Sequence, residues 1–164
     1  MTKMQDMGQN LSTAWADLSV ERIKANLDWA LTHPYLNQWL ENADESEVLE
    51  VKKELKKREI TQKRDEAING GVEYKGKVFQ SGEKDRNLLT STISLFSITK
   101  AVPEGFKWIA KDNEAVSFTL QDLIALGGLM ANAVNLHTMK ARELKDKVEN
   151  ANSAEALEKI VVEF

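Results

Sequence analysis

Residues able to do chemistry are few in this chain, and their spacing is against most of it. The two histidines, His33 and His137, stand far apart. His33 precedes a proline, and His137 falls on the core-facing stripe of a long helical pattern, where a lone imidazole is expected to pack. No His-Glu-x-x-His pattern occurs, and the chain has no cysteine. A zinc site would therefore need a scattered set of carboxylates and histidines. No serine sits in a Gly-x-Ser-x-Gly turn. The pairs Gly70-Gly71 and Gly127-Gly128 lack the Lys-Ser or Lys-Thr of a phosphate loop, and neither belongs to a Gly-x-Gly-x-x-Gly run. The first pair reads as a helix stop and the second as a packing notch. No catalytic residue, cofactor or metal is expected, and the chain is not read as an enzyme.

What remains is chemistry of recognition. Tyr74, Lys75 and Lys77 flank a tight turn and are candidate partner-binding residues. Trp15, Trp29 and Trp39 are gathered in the first quarter of the chain and form a second candidate set. Rigid aromatic rings supply large contact area at small entropic cost, and Trp, Tyr and Arg dominate binding hot spots. Phe79, Phe106 and Trp108 are expected in the core.

The elements that position these residues follow from periodicity and breakers. Leu11 to Thr32 has a helical period, with Ser12 or Asn10 as its cap, and is closed by Pro34. A short piece from Tyr35 to Asn42 follows. A charged helix should begin at Asp44, with Glu47 in capping-box spacing, and run as far as Asn69. Val72-Glu73-Tyr74 and Lys77-Val78-Phe79 enclose Lys75-Gly76, a hairpin signature. A helix is expected from about Asp85 to Lys100. A second hairpin pairs Phe106–Ala110 with Ala115–Phe118. Thr119 then reads as an N-cap with Asp122 at the third position, opening the strongest helix of the chain, to about Glu149. A short helix starts at Ser153. The expected fold is α+β and mainly helical: long N-terminal helices, two short β-hairpins, and a long C-terminal helix followed by a short one.

Composition supports an ordinary globular chain of 164 residues, 42% hydrophobic and 29% charged, outside the range of disordered sequences. No window approaches the roughly 18 apolar residues of a membrane span, and the polar stretch from Met1 to Asn10 has no signal-peptide core. The net charge is −4, whereas nucleic-acid binding shows a basic surplus or stripe. The one basic run, Lys52, Lys53, Lys56, Lys57, Arg58, Lys63 and Arg64, is interleaved with Glu54 and Glu59 in helical pairing spacing and reads as a solvated face. Neither nucleic acid nor membrane is an expected partner.

Three segments resemble a known family. Residues 64–81, from Arg64 through Asn69-Gly70-Gly71 and Tyr74-Lys75-Gly76 to Ser81, are similar to the opening of a domain of unknown function found in phage and prophage tail-region proteins. Trp108–Asn113 with Val116–Leu123 looks like its second signature, and Leu144 with Ala151–Leu157 like its closing helix pair. The resemblance covers about residues 58–162. It implies a tail-fibre assembly factor that is chaperone-like and binds a fibre or other tail protein in the host bacterial cytoplasm. The alternative is a permanent structural component of tail or virion. Self-association is compatible with either. Residues 1–57 do not look like the usual fibre-assembly protein, so a helical arm, 1–57, is set apart from an α+β domain, 58–164. No binding residue is carried over from the family.

Overall fold

The computed structural model describes Trp15 and residues 17–164. Among them lie seven helices and two antiparallel hairpins, and the chain is mainly helical. The N-terminal helices are α1 (Val20–Ala25), α2 (Leu27–Thr32), α3 (Leu36–Asn42) and α4 (Glu45–Asn69). Hairpin β1 (Val72–Tyr74) and β2 (Lys77–Phe79) leads to α5 (Glu83–Thr99). Hairpin β3 (Lys107–Ile109) and β4 (Ala115–Ser117) leads to α6 (Leu120–Asn150) and α7 (Ala154–Glu158).

The single helix expected to end at Thr32 is two short ones over its described part. Its expected start and the caps Ser12 and Asn10 lie outside the described residues. Asn26 makes the break: its backbone N–H closes α1 on the Arg22 and Ile23 carbonyls, while its side-chain oxygen accepts from Trp29 N and opens α2. A short amide side chain that can serve the backbone competes with helix continuation. Ser19 caps α1 in the same way, accepting from Arg22 N at 3.2 Å.

Other local signals are realised as read. Lys75 and Gly76 both take positive φ, 51° and 72°, the two-residue turn whose twist suits paired strands. The register follows, with Tyr74 opposite Lys77 and Val72 opposite Phe79. Gly71, at φ 113°, lets the chain leave α4. Its N–H donates to Ser81 Oγ at 3.0 Å, and that hydroxyl donates to the Ile68 carbonyl at 2.6 Å. The buried Ser81 thus clasps the two ends of the first hairpin.

The chain forms two compact units. One takes the residues up to Ile60 together with Leu144–Val162; the other takes Thr61–Glu143 with Glu163 and Phe164. The first is built on Ile23, Ala30, Leu36, Trp39 and Val51, with Leu27, Trp29 and Leu55 packed around them. The second is built on Phe79, Leu89, Phe96, Phe118, Leu123, Leu126 and Met130. Phe79 is fully buried, and the Phe106 and Trp108 rings pack against this core half-buried. The C-terminal segment 144–162 thus groups with the N-terminal helices. The arm 1–57 and domain 58–164 concern independent folding, a separate property, and stay an expectation.

Candidate partner-binding surfaces

In the second unit, Tyr74, Lys75 and Lys77 converge on carboxylates supplied by later elements. The Tyr74 hydroxyl donates to Asp122 Oδ1 at 2.9 Å, and Lys75 Nζ reaches the same oxygen at 2.7 Å. Asp122 Oδ2 accepts from the Thr119 N–H and hydroxyl, each at 2.8 Å, while the Thr119 oxygen accepts from Asp122 N at 3.2 Å. This is a reciprocal capping box with aspartate at the third position, and its carboxylate has been recruited to hold the hairpin as well. Asp122 is only 8% exposed. The Lys75 ammonium and then the Thr119 N–H hold its carboxyl well below the usual carboxylate range, against the opposing effect of burial. Bonding to that carboxylate raises the Tyr74 phenol.

Lys77 bridges Asp112, at 2.8 Å, and Glu114, both on the turn of the second hairpin. Its two carboxylate partners raise the ammonium, which in turn lowers Asp112. Backbone and side chain of Lys111 complete the join: its N–H donates to the Val78 carbonyl at 2.8 Å and its Nζ to the Gly70 carbonyl at 2.7 Å. The first two resembling segments are therefore bound to each other. The polar ends of all three candidate residues are engaged within their own unit. Sequence reading took Asp122 for a cap alone; nothing in a Thr-x-x-Asp spacing reveals a tyrosine and a lysine from a distant turn.

In the first unit the tryptophans part company. Trp15 and Trp39 are each 2% exposed, so both rings serve the interior. Trp29 is half-buried, with the Arg22 guanidinium 4.6 Å above its ring and His33 5.1 Å away in an edge-on arrangement. Tyr35 continues the row, 6.0 Å from His33, and is itself exposed, as is Leu31. His33 is oriented from both nitrogens: Nδ1 accepts from Tyr35 N at 3.3 Å, and Nε2 lies 3.3 Å from Asp17. Arginine over a tryptophan face gains cation–π attraction, so the cluster presents a pre-ordered aromatic edge with one cation.

The basic run on α4 is paired more extensively than a solvated face would be. Lys57 bridges Glu54 at 2.6 Å and Glu149 at 2.5 Å, Lys52 lies 3.8 Å from Glu158, and Arg58 holds Asp28. Lys53 donates to the Glu149 carbonyl at 2.7 Å, supplying a donor to one of the carbonyls that a helix leaves unsatisfied at its C-terminus. These pairs join α4 to the end of α6 and to α7, while Leu144, Val148, Ala151, Leu157 and Val162 of the same segment are buried.

A groove of about 510 Å³ in the first unit is lined by Leu40, Glu41, Ala43, Glu45, Val48 and Leu49, among others. Its Ser153 hydroxyl accepts from Ala156 N as the cap of α7. His137, in the second unit, packs 5.9 Å from the Phe164 ring. Among the described residues no group of three His, Asp or Glu could hold a metal ion, and no helix is long and apolar enough to cross a membrane.

With this geometry in place, comparison with known proteins assigns the family. The chain belongs to the family described as Domain of unknown function (DUF4376), whose model matches residues 51–162. No curated protein and no solved structure matches the chain.

Proposed function

We propose that this member of the family is a phage or prophage tail-fibre assembly factor, a chaperone-like accessory protein that acts by binding in the host bacterial cytoplasm. The tail context rests on the resemblance of residues 58–162. The binding mode rests on one observation, the ordered Arg22–Trp29–His33–Tyr35 row at the surface of the first unit. Arg22, Trp29 and Tyr35 are of the types that dominate binding hot spots, and the rings are already held, Trp29 and Tyr35 each against His33, which lowers the ordering cost of association. The hairpin residues Tyr74, Lys75 and Lys77 would contribute indirectly, by keeping the second unit rigid.

Co-expression with the neighbouring tail-fibre gene tests this. The expected result is more soluble fibre and co-elution of the two chains on a sizing column. Arg22→Ala together with Tyr35→Ala, both at exposed positions, should weaken co-elution at least tenfold, about 1.4 kcal/mol, with the fold intact. A fibre equally soluble alone, and no co-elution at micromolar concentration, would defeat the reading. Fixed copy number in purified tails would favour the structural-component alternative.

A further inference from the structure

Asn69 is the one asparagine of the chain that is followed by glycine. The side-chain amide carbon of an asparagine is an electrophile within reach of the next residue's backbone nitrogen, and their union closes a five-membered ring. The residue that supplies the nitrogen governs how readily this happens. Any Cβ there crowds the nitrogen and restricts the rotation that brings it to the amide, and glycine has none. Every other asparagine is followed by Leu, Gln, Ala, Glu or Ser.

The fold leaves this dipeptide open to the reaction. Asn69 is the last residue of α4 and Gly70 lies just beyond it, and both are exposed. Inside a helix each N–H is held on the carbonyl four residues back, which fixes the backbone and opposes ring closure. At Gly70 the hold is weak. Its N–H donates to the Ala67 carbonyl at 3.4 Å, and helix ends open at the smallest cost. Arg86 bears on the reacting group itself. Its Nη1 donates to Asn69 Oδ1 at 3.4 Å, the oxygen that takes up negative charge when the nitrogen adds to Cγ. The same nitrogen donates to the Ser81 carbonyl at 2.5 Å, which holds the guanidinium in place as a donor to that charge.

We infer that Asn69 and Gly70 form a self-modification site, where the chain converts this asparagine to aspartate and isoaspartate with water as co-reactant and Arg86 assisting. The Gly70 nitrogen gives up its proton and bonds to Asn69 Cγ. The Cγ–Nδ2 bond breaks, and ammonia leaves with that proton. Water then opens the succinimide ring. Cleavage between the Gly70 nitrogen and Cγ yields aspartate on an unaltered backbone, its new charge beside Arg86. Cleavage between that nitrogen and the backbone carbonyl carbon of residue 69 yields isoaspartate, with the main chain rerouted through Cβ and Cγ. Nothing is oxidised or reduced. The second product adds a methylene to the main chain directly before two anchored residues. The Gly70 carbonyl accepts from Lys111 Nζ at 2.7 Å, and the Gly71 N–H donates to Ser81 Oγ at 3.0 Å. Isoaspartate therefore loosens the attachment of the first hairpin, whereas aspartate preserves it. This inference goes beyond the assembly-factor reading and does not depend on it.

Ageing of the full chain in mildly alkaline buffer at physiological temperature, followed by peptide mass mapping, tests it. The peptide carrying Asn69 should gain the mass of an NH2-to-OH exchange and resolve into two products, one of them labelled by isoaspartyl methyltransferase. The other asparagines should stay intact. Gly70→Ala should slow the conversion about tenfold or more by crowding the nitrogen. Its Cβ would stand 3.1 Å from the Glu66 carbonyl oxygen; should that variant not fold, Asn69→Gln, whose longer side chain disfavours closure, is read in its place and should also stay unmodified. Arg86→Gln should slow conversion severalfold with unchanged far-UV circular dichroism, and Arg86→Lys should recover part of the rate. The isoaspartate fraction of the aged chain should melt below Asn69→Asp. An Asn69 that stays intact in the folded chain while the chain unfolded in urea converts overturns the proposal. Conversion equally fast in Gly70→Ala overturns it too, and a rate indifferent to Arg86→Gln overturns the assistance assigned to Arg86.

Discussion

Asp122 and Tyr74 stand 48 residues apart in the chain, and the tyrosine hydroxyl donates to the carboxylate at 2.9 Å. Lys75 Nζ reaches the same oxygen, while the other carboxylate oxygen serves Thr119. One side chain thus starts the longest helix and fixes the first hairpin against it. Asp122→Ala should lose the reciprocal cap and the two hairpin bonds together, about 2 kcal/mol of stability. Tyr74→Phe should cost less, because Lys75 still reaches the carboxylate. Chemical denaturation of both variants measures the difference, and equal losses would refute the shared role.

The same carboxylate gives an acid dependence of known sign. Its folded-state pKa is depressed below the ordinary 3.8. Its contribution is therefore complete above the unfolded-state value and is lost as pH falls through the folded one. Asp112 and Glu149 are lowered too and act in the same direction. Lys77, raised above the ordinary 10.5, contributes below that value and loses its contribution as pH rises through the folded one. Stability of the wild type should fall more steeply below about pH 4 than that of Asp122→Asn. Denaturation curves across the acid range check this; parallel curves would contradict it.

The two adjacent glycines of α6 should behave differently. A Cβ at Gly128 meets nothing within 4 Å, so Gly128→Ala should gain about 1 kcal/mol from helix propensity. A Cβ at Gly127 would stand 3.0 Å from Ile93 Cδ1, so Gly127→Ala should lose that gain or destabilise. Ile93→Val removes the obstructing methyl. In a double-mutant cycle it should cost less in the Gly127→Ala background than in the wild type; additive values would show that the notch holds no strain.

Removal of residues 1–56 leaves Trp108 as the one tryptophan of the four, and its ring packs on the core of the second unit. The chain Lys57–Phe164 should keep a cooperative melting transition in Trp108 fluorescence. Its segment 144–162, deprived of Lys53 and the other first-unit residues, should become sensitive to proteolysis. A non-cooperative Trp108 transition would show that the second core does not stand without the N-terminal helices.

Local punctuation is legible in the sequence. Lys75-Gly76 set a two-residue turn, Thr119 and Asp122 a capping box, and Gly71 the exit from α4, because each depends on backbone preferences within a few residues. The mainly helical α+β character followed from period and breakers in the same way. Asn26 shows the limit even locally, since the helical period runs through it and only the bond from Trp29 N reveals the break.

The sequence by itself determined the elements and the chemistry available to them: no cysteine, two isolated histidines, and aromatic and basic residues offered for recognition. Tertiary structure decided which of those residues stay accessible to solvent. Trp15 and Trp39 turn fully inward while Trp29 stays half-buried, a choice that periodicity cannot make in helices of six or seven residues. It also brought Lys75 to Asp122, Lys77 to Asp112 and Glu114, and residues 144–162 to the N-terminal helices. Charge pairing and apolar packing act through space and carry no sequence signature of the partner, so separations of tens of residues close only when the chain folds.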